Sequence, residues 1–578
     1  MILYKINKII FEFIKSLDDL TNEDLISLKS KVNTLISENL ERGHITSNAC
    51  LVAGNTLKTN PRELSEKLKE ILIKDVAIEN VEIAGPGFIN LHLTREAFYS
   101  VVEDALSKKE TFGNSNSGKD KKIQIEFVSA NPTGPLHVGH GRGAAYGDAC
   151  ARLLSATGCK VEKEYYVNDA GRQMDILTTS VILRQINISD DDFPASAYKG
   201  DYIKNISNNF KSQSSKDATF SFDINKFSDD DPEKQIDKII DFLKADNEDL
   251  WFAIKKYALD NVLISIKNDL QEFNVKHDEW FFESTLGSTL NQDSDISKSI
   301  NLLAEKGKTF EKDGAIWLQT TALEDDKDRV LIRDDGRATY FASDVAYHKN
   351  KLDRGFDKII NIWGADHHGY IKRIEASLAS MNFDKDKLQV CLVQFANLFQ
   401  GGSKVKMSTR SGEFFTLADL VENIGVDASR FYYLSKQADQ HLDFDLDLAK
   451  SDKKENIYYY IQYAHARIES LNEKFINMNI SSSKNTLKNG EYKNCDKIIH
   501  ELMRYPEIVQ RAADNMHPHI IIYYLRDLAH TFHSFYNDNH VLSESEDNLS
   551  SIMSALNALK IVFGNALNLL GISPLNKM

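Results

Sequence analysis

The chain has 578 residues, with 70 basic and 85 acidic side chains and a formal net charge of −15 at pH 7. Hydrophobic residues make up 42% and charged residues 27% of the sequence, which is typical of folded multidomain proteins and excludes a chain that is disordered throughout. The charge also excludes a uniformly basic surface, so any contact with nucleic acid must use local patches.

The sequence shows no segment that would take the chain out of the cytoplasm. The five cysteines are scattered and form no CxxC pair, which argues against a zinc ribbon or a redox pair. The apolar N-terminus is interrupted by Lys5, Lys8 and Glu12, unlike the unbroken core of a secretory signal. The longest aliphatic and aromatic run, residues 520–525, is far shorter than the ~20 residues of a membrane span. We expect a cytoplasmic protein that binds no membrane.

Residues 1–112 are predicted to form a small α/β domain. Apolar residues repeat at helical spacing near the N-terminus, and a second helix is expected to begin at Pro61, where a missing N–H costs little. Residues 78–94 alternate between apolar and polar around Gly85-Pro86-Gly87, which predicts a hairpin. The polar, Gly- and Ser-rich residues 111–120 are predicted to be a linker.

The pattern changes at residue 120 to alternating strand and helix. Ile123, Ile125 and Phe127 predict a strand, residues 141–158 a helix and residues 160–169 a second strand. Such a unit implies a Rossmann-like parallel sheet over residues 120–450. Residues 190–330 are expected to be an insertion, and residues 190–249 within it contain 15 acidic and 8 basic side chains. Residues 455–578 are predicted to be all helical, and residues 451–578 are nearly neutral, with 13 basic and 14 acidic side chains.

A Gly- and His-rich turn, NPTGPLHVGHG at residues 131–141, follows the first strand of the sheet. Ligands of α/β proteins bind where strands end at the carboxyl edge of a parallel sheet. A helix start there offers free N–H groups and partial positive charge to phosphates, and His137 and His140 can donate hydrogen bonds to their oxygens. Taken alone, the motif indicates a phosphate site or a structural turn about equally.

A second basic motif, KVKMSTRSG at residues 404–412, follows Gly401 and Gly402. Flexible glycines beside Lys404, Lys406 and Arg410 suit a loop that closes over a polyphosphate, although a solvated basic loop is the commoner case for such a pattern alone.

HVGH followed by KMSTR about 270 residues later resembles the two ATP-binding motifs of class I aminoacyl-tRNA synthetases. The surrounding segments, among them EFVSANPTGPLHVGH, EYYVNDAGRQ, ATYFASDVAYH, YIQYAHAR and ALNLLGISPLNKM, resemble the arginyl-tRNA synthetase family over essentially the whole chain. The resemblance implies a ligase that attaches arginine to tRNA(Arg) through an arginyl-adenylate, with tRNA bound before activation. It also implies ATP with Mg²⁺ but no dedicated protein metal site, and we expect a monomer.

The resemblance implies roles for individual residues. His137, His140 and Lys406 correspond to catalytic positions. Asp344 and Glu126 are candidates for the arginine guanidinium, because carboxylates pair with it through parallel hydrogen bonds. The arginine-binding set is Glu126, Ser129, Asn131, His137, Tyr340, Asp344 and His368, with Ser129 and Asn131 at the α-amino group. The ATP-binding set is His137, Gly139, His140, Gly141, Asp366, His367, Lys406, Met407 and Ser408.

Contacts with tRNA are also implied by the resemblance. Residues 1–112 correspond to a domain that touches the tRNA elbow, and residues 455–578 to the anticodon-binding domain. Tyr459, Tyr463 and Arg467 near the start of the latter could stack on unpaired bases, although each could equally be a core aromatic or its neighbour.

One departure from the family pattern leaves alternatives open. The second motif often ends in lysine in this family, but Thr409 stands there, and Gly134 stands where a compensating lysine is often found. Lys404 or Arg410 could replace the lost charge. A small-molecule adenylyl- or nucleotidyltransferase and a non-catalytic RNA-binding relative are the alternative functions. Asp366-His367-His368 offers metal-ligand types, but three consecutive residues rarely converge on one ion, so we predict no metal site.

Overall fold

The computed structural model describes residues 2–17, 20–186, 188–189, 192–213, 220–405, 415–478 and 494–578. The chain divides into two compact units. The first contains residues 1–115, 452–569 and 573–578, and the second contains residues 116–451 and 570–572. The N-terminal and C-terminal segments, which the sequence separates by composition, therefore belong to one unit.

The N-terminal part of the first unit is an antiparallel sheet with helices, as the sequence predicts. The predicted helix begins at Pro61, with the Asn60 side chain accepting the Arg62 N–H. Gly85 and Gly87, with φ of 51° and 141°, form the predicted hairpin turn. The strand order is β1-β2-β4-β3. The elements are α1 (Ile2–Lys15), α2 (Asn22–Lys31), β1 (Thr34–Ile36), β2 (Ile45–Ser47), α3 (Ala49–Leu57), α4 (Pro61–Leu72), β3 (Ile78–Ala84), β4 (Phe88–Leu93) and α5 (Arg95–Lys108).

The second unit is built on a five-stranded parallel sheet. Its elements are β5 (Lys122–Glu126), α6 (Val138–Ala156), β6 (Lys160–Val167), α7 (Arg172–Gln185), α8 (Asp201–Gln213), α9 (Pro232–Asp246), α10 (Glu248–Glu272), β7 (Glu279–Phe282), α11 (Asp295–Glu305), β8 (Thr309–Lys312), β9 (Ala315–Leu318), β10 (Arg329–Ile332), α12 (Tyr340–Asp353), β11 (Lys358–Gly364), α13 (Ile371–Ser380), β12 (Leu388–Val393), β13 (Ala396–Gln400), β14 (Ser403–Lys404), α14 (Leu417–Ile424), α15 (Val426–Leu434), β15 (Leu442–Asp445) and α16 (Leu446–Lys450).

The strand order of this sheet is β12-β11-β5-β6-β7, with every pair parallel. The chain moves outward from β5 to β7 on one side and returns to β11 and β12 on the other, which is the doubly wound order of Rossmann-like folds. The Rossmann-like prediction is therefore confirmed. The order reverses between β5 and β11, and their carboxyl ends border the crevice where such folds bind ligands.

The predicted insertion is not a single inserted block. Helices α8–α10 and strands β8 and β9 lie within residues 190–330, but so does β7, the edge strand of the main sheet. This strand has only four residues and begins with the exposed Glu279, so its pattern is too short to predict a sheet strand.

The C-terminal part of the first unit is helical, as predicted. It contains α17 (Ile457–Asn477), α18 (Asp496–Asp514), α19 (His519–Asp538) and α20 (Glu546–Leu569). Among the described helices, α20 is long and apolar enough to cross a membrane, but most of its apolar segment is buried within the fold. Leu556, Leu559 and Phe563 are fully buried, as in the core helix of a helical domain.

Candidate active site

The first half of the site is the turn between β5 and α6. His137 is the N-cap of α6, and its Nδ1 accepts the Gly139 N–H at 3.0 Å. The Nδ1 of His140 accepts the His137 N–H at 3.3 Å, and the two rings stack with centroids 3.8 Å apart. Burial lowers the pKa of His137, and burial together with His137 lowers the pKa of His140 to about 3. Both imidazoles are therefore neutral, and because Nδ1 accepts in each, Nε2 carries the proton that can be donated to a ligand.

The glycines of this turn have different surroundings. A Cβ on Gly139 would lie 2.7 Å from Cε1 of His137, so glycine allows the histidine to fold over the start of the helix. A Cβ on Gly141 would lie 2.8 Å from the Tyr433 ring, so packing of α6 against α15 accounts for this glycine without a ligand. Nothing lies within 4 Å of a Cβ placed on Gly143.

The residues that follow the second motif lie beside the histidine turn. Leu417 donates to the carbonyl of Leu136 at 2.8 Å, and Phe415 accepts the N–H of Val138 at 3.2 Å. At the start of the motif, Val405 donates its N–H to Leu398 of β13 at 2.9 Å. Lys406, Met407, Ser408, Thr409 and Arg410 themselves lie outside the described residues.

The second half of the site is a cluster of carboxylates beyond the ends of β5, β7 and β11. Glu126 ends β5, Glu283 follows β7, and Asp344 is the fifth residue of α12. Tyr370, just after β11, donates its hydroxyl to Asp344. Burial, with Glu283 and Glu126 as further contributors, raises the pKa of Asp344 to about 7. Burial also raises the pKa of Glu283, whose carboxyl is hydrogen-bonded by Tyr166 and Ser343.

Glu126 differs from the other two carboxylates because a cation is already paired with it. Its Oε2 lies 2.5 Å from Nζ of Lys351, whose side chain is completely buried. Its Oε1 accepts the Ser129 hydroxyl at 2.9 Å, and that hydroxyl oxygen accepts the Tyr166 N–H at 3.1 Å. Val128 and Ser129 have positive φ of 70° and 41°, a strained backbone that folds the chain back over Glu126.

Five further residues of the predicted arginine-binding and ATP-binding sets lie at the surface. Tyr340 is 60% exposed, and its hydroxyl lies close to Gly171. Asn131 is exposed in the β5–α6 turn, and Asp366, His367 and His368 are exposed in the short helix after β11. Among the described residues, no group of three or more His, Cys, Asp or Glu side chains is arranged to hold a metal ion.

Four residues of the cluster were not predicted from the sequence: Tyr166, Glu283, Lys351 and Tyr370. Tyr370 ends the short Ala365–Tyr370 helix after β11, and Glu283 follows β7. Both could have been predicted as site residues, because they come after strands that end at the carboxyl edge of the sheet. Lys351 gave no signal, since a lysine in an amphipathic helix is usually at the surface.

The predicted tRNA-binding residues lie on one face of α17 in the first unit. The rings of Tyr459 and Tyr463 stack with centroids 6.0 Å apart. The Arg467 guanidinium lies 4.7 Å from the ring centre of Tyr463 and 4.3 Å from that of Tyr536 on α19. All three predicted residues are half-buried, so each exposes part of its side chain for contact with a ligand.

Comparisons with known proteins agree with this arrangement. Three family profiles match successive parts of the chain: "Arginyl tRNA synthetase N terminal domain" at residues 5–93, "tRNA synthetases class I (R), catalytic domain" at 101–480 and "DALR anticodon binding domain" at 461–578. The chain is 42% identical over 569 residues to an arginine–tRNA ligase of Legionella pneumophila (strain Corby), covering 96% of each chain. It is 42% identical over 574 residues to that of Vesicomyosocius okutanii, covering 98% of each.

Solved structures give the same result. An arginyl-tRNA synthetase from Campylobacter jejuni matches with a TM-score of 0.72 and 32% identity, covering 84% of this chain and 100% of that one. The Thermus thermophilus arginyl-tRNA synthetase matches in fold, with a TM-score of 0.77 at 19% identity and full coverage of both chains.

The parallel sheet, the histidine turn at the start of α6 and the catalytic-domain match define a class I aminoacyl-tRNA synthetase. Within that class, the chain belongs to the arginine–tRNA ligase family, the enzymes that use ATP to attach arginine to tRNA. The predicted function is confirmed, and the nucleotidyltransferase alternative is excluded.

Proposed function

We propose that this chain binds the arginine side chain at the Asp344 carboxylate and the ATP phosphates at the start of α6. The observation that carries this proposal is the position of both features at the carboxyl edge of one sheet, on either side of the point where the strand order reverses. A substrate carboxylate between them would lie beside the α-phosphorus of ATP.

Arginine binds through its charge. Asp344 and Glu283 offer carboxylates to the guanidinium, with Glu126 held beside them by Lys351. Tyr340 borders the entrance, and Ser129, Asn131, His137 and His368 hold the amino-acid end. Because Asp344 has a pKa of about 7, guanidinium binding favours its ionised form and releases a proton.

ATP binds through neutral donors. The Nε2–H groups of His137 and His140 and the N–H groups at the start of α6 donate to phosphate oxygens, with Gly139 and Gly141 at the helix start. Asp366 and His367 contact the adenosine, and Lys406, Met407 and Ser408 close over the phosphates. Mg²⁺ enters with ATP, and when bound it would neutralise phosphate charge.

The reaction needs no protein nucleophile. The arginine carboxylate attacks the α-phosphorus, which forms arginyl-adenylate and releases pyrophosphate. A terminal ribose hydroxyl of tRNA(Arg) then attacks the arginyl carbonyl and releases AMP. Positioning and charge stabilisation by His137, His140 and Lys406 lower the barrier, and bound tRNA is required before the adenylate forms.

The tRNA contacts belong to the first unit. We assign stacking of unpaired anticodon bases to Tyr459, Tyr463 and Arg467, and contact with the tRNA elbow to the N-terminal domain. The enzyme acts as a monomer in the cytoplasm, where tRNA, arginine and ATP are available.

The test is aminoacylation of total tRNA with each labelled amino acid in turn, with ATP and Mg²⁺. Pyrophosphate exchange is measured in parallel with and without tRNA. We expect charging with arginine alone and exchange only when tRNA is present. Exchange without tRNA would contradict the requirement for bound tRNA. Failure to charge any amino acid despite tRNA binding would indicate a non-catalytic relative, with Thr409 as the first residue to restore to lysine.

A further inference from the structure

Lys351 is a buried cation at the base of the carboxylate cluster. None of its side chain is exposed, and its Nζ lies 2.5 Å from Glu126 Oε2 and 2.8 Å from Asn361 Oδ1. The same nitrogen lies 4.3 Å from the ring centre of Tyr347. Burying a lysine is unfavourable unless a carboxylate and further acceptors surround it, so the position of Lys351 depends on Glu126.

His348 fixes the orientation of the Asn361 side chain that contacts Lys351. Burial lowers the pKa of His348 to about 3, so its ring is neutral and carries one N–H. Its Nδ1 lies 2.8 Å from the carbonyl oxygen of Asp344 and must donate to it, and Nε2 therefore accepts the Asn361 amide at 2.7 Å. This directs the amide oxygen of Asn361 towards Lys351. A continuous hydrogen-bond chain thus runs from the Asp344 backbone to the Glu126 carboxylate.

The charges around Glu126 come from three elements. Asp344, Tyr347 and Lys351 face it from α12, with His348 linked through Asn361, and Glu283 faces it from the segment after β7. Tyr166 and Glu164 face it from β6. Arg354 is already paired with Glu164 at 2.6 Å and with Glu162 at 3.3 Å. Lys351 is therefore the cation in contact with Glu126, within a cluster that contains two more carboxylates.

We propose that Lys351 is a positioning residue for arginine recognition, which acts by holding the Glu126 carboxylate aligned beside Asp344. This inference rests on the proposed arginine site. Carboxylates this close repel one another, and the contact with Lys351 holds Glu126 in place against that repulsion. Without Lys351, the Glu126 carboxylate loses its partner and its alignment, and the site binds a guanidinium less well.

The test compares Lys351→Met with the wild type in steady-state aminoacylation, with arginine, ATP and tRNA varied in turn. At about pH 7 we expect the KM for arginine to rise about 10- to 100-fold, the range for a lost charged hydrogen bond, with the KM for ATP unchanged. The change should fall on the KM for arginine more than on kcat, as expected for a residue that positions a substrate-binding group. Lys351→Arg, which keeps the cation, should restore arginine binding at least in part.

Arg430→Met is the matched control, because Arg430 is also a fully buried cation of the second unit, paired with Asp148 at 2.8 Å. It should destabilise the protein without changing the KM for arginine relative to the wild type. An unchanged arginine KM in Lys351→Met, or an equal rise in the KM for ATP, would overturn the inference.

The double variant Glu126→Gln with Lys351→Met covers the case in which the single variant fails to fold. It removes both charges of the pair and so leaves no unpaired buried ion. We expect a raised arginine KM, because the carboxylate beside Asp344 is lost together with its partner. A return to the wild-type KM would show that the pair serves stability alone. A wild-type protein that charges no amino acid would instead contradict the proposed function, which separates the two failures.

Discussion

The two halves of the candidate site recognise charge by different means. The phosphate half, at the start of α6, uses backbone N–H groups and two histidines that burial keeps neutral. The arginine half uses carboxylates from three separate segments together with the buried cation Lys351. At the start of α6 an anion would thus be met by dipoles, with charge added by Lys406 and Mg²⁺, whereas the carboxylates would meet a cation with full charges of the fold itself. The arginine half should therefore respond more strongly to loss of a single charge and to pH.

Replacing Asp344 with Asn tests the arginine half most severely. The variant keeps the shape of the side chain and removes the carboxylate proposed for the guanidinium. We expect kcat/KM for arginine to fall on the order of 10³-fold, corresponding to roughly 3–5 kcal/mol for a broken buried ion pair. Steady-state aminoacylation measures this loss, with the KM for ATP unchanged.

Asp353→Asn is the matched control, because Asp353 ends the same helix and its carboxylate is half exposed in a pair with Lys349. This variant should retain full activity. An equal rise in the KM for ATP and for arginine in Asp344→Asn would indicate a general loss of structure and would remove Asp344 from the arginine half.

Replacing His140 with Ala tests the phosphate half. It removes one Nε2–H donor, and loss of a preorganised donor to developing charge slows a reaction by about 10²- to 10³-fold. We expect the change in kcat for aminoacylation, with little change in the KM for arginine. His140→Asn, which keeps a donor, should recover part of the rate. If the alanine variant instead raised only the KM for arginine, the assignment of His140 to the phosphate half would be wrong.

The two halves of the site also differ in how far they could be predicted from the sequence. The histidine turn is contiguous, so the sequence could place it between a strand and a glycine-rich helix, and its resemblance to a family turned an even choice into the prediction of a phosphate site. The arginine half brings together Glu126, Glu283 and Asp344, which are separated by up to 218 positions in the chain. Similarity to a family supplied Glu126 and Asp344. The pairing of Glu126 with Lys351 could not be predicted, because it depends on how α12 packs on the sheet.

The fold was predictable for a similar reason. Residues 122–167 form a local strand–helix–strand unit, so their pattern alone was enough to predict a parallel sheet. The short β7 strand was missed, since it becomes part of the sheet only by pairing with β6.

The arginine half should also respond to pH near neutrality. Asp344 has a pKa of about 7 in the free protein, and a guanidinium binds its ionised form. Affinity for arginine is therefore full above this pKa and lost as the pH falls through it, by about tenfold at pH 6. Calorimetry of arginine binding in buffers of different ionisation enthalpy should detect the released proton. In Asp344→Asn this pH dependence should disappear, whereas a wild-type affinity that is constant from about pH 6 to 8 would contradict the assignment.

The smallest effect on catalysis is expected from a change at Gly571, which packs against the buried Arg430–Asp148 ion pair. This pair stabilises the fold. Gly571 has a φ of 69°, and a Cβ there would lie 2.2 Å from Nη2 of Arg430. That guanidinium is held by the carbonyl of Leu570 at 2.9 Å and by Asp148 at 2.8 Å, so displacing it would break these bonds.

Gly571→Ala should therefore lower the free energy of unfolding by about 1–3 kcal/mol, through backbone strain and the displaced arginine. Denaturant titration measures this loss. Gly564→Ala, at a site with nothing within 4 Å of the added carbon, is the control and should be neutral or slightly stabilising. At a temperature where both variants are folded, the KM values for arginine and ATP should equal those of the wild type. A raised KM for ATP in Gly571→Ala would mean that the Arg430–Asp148 pair also sets the position of the histidine turn.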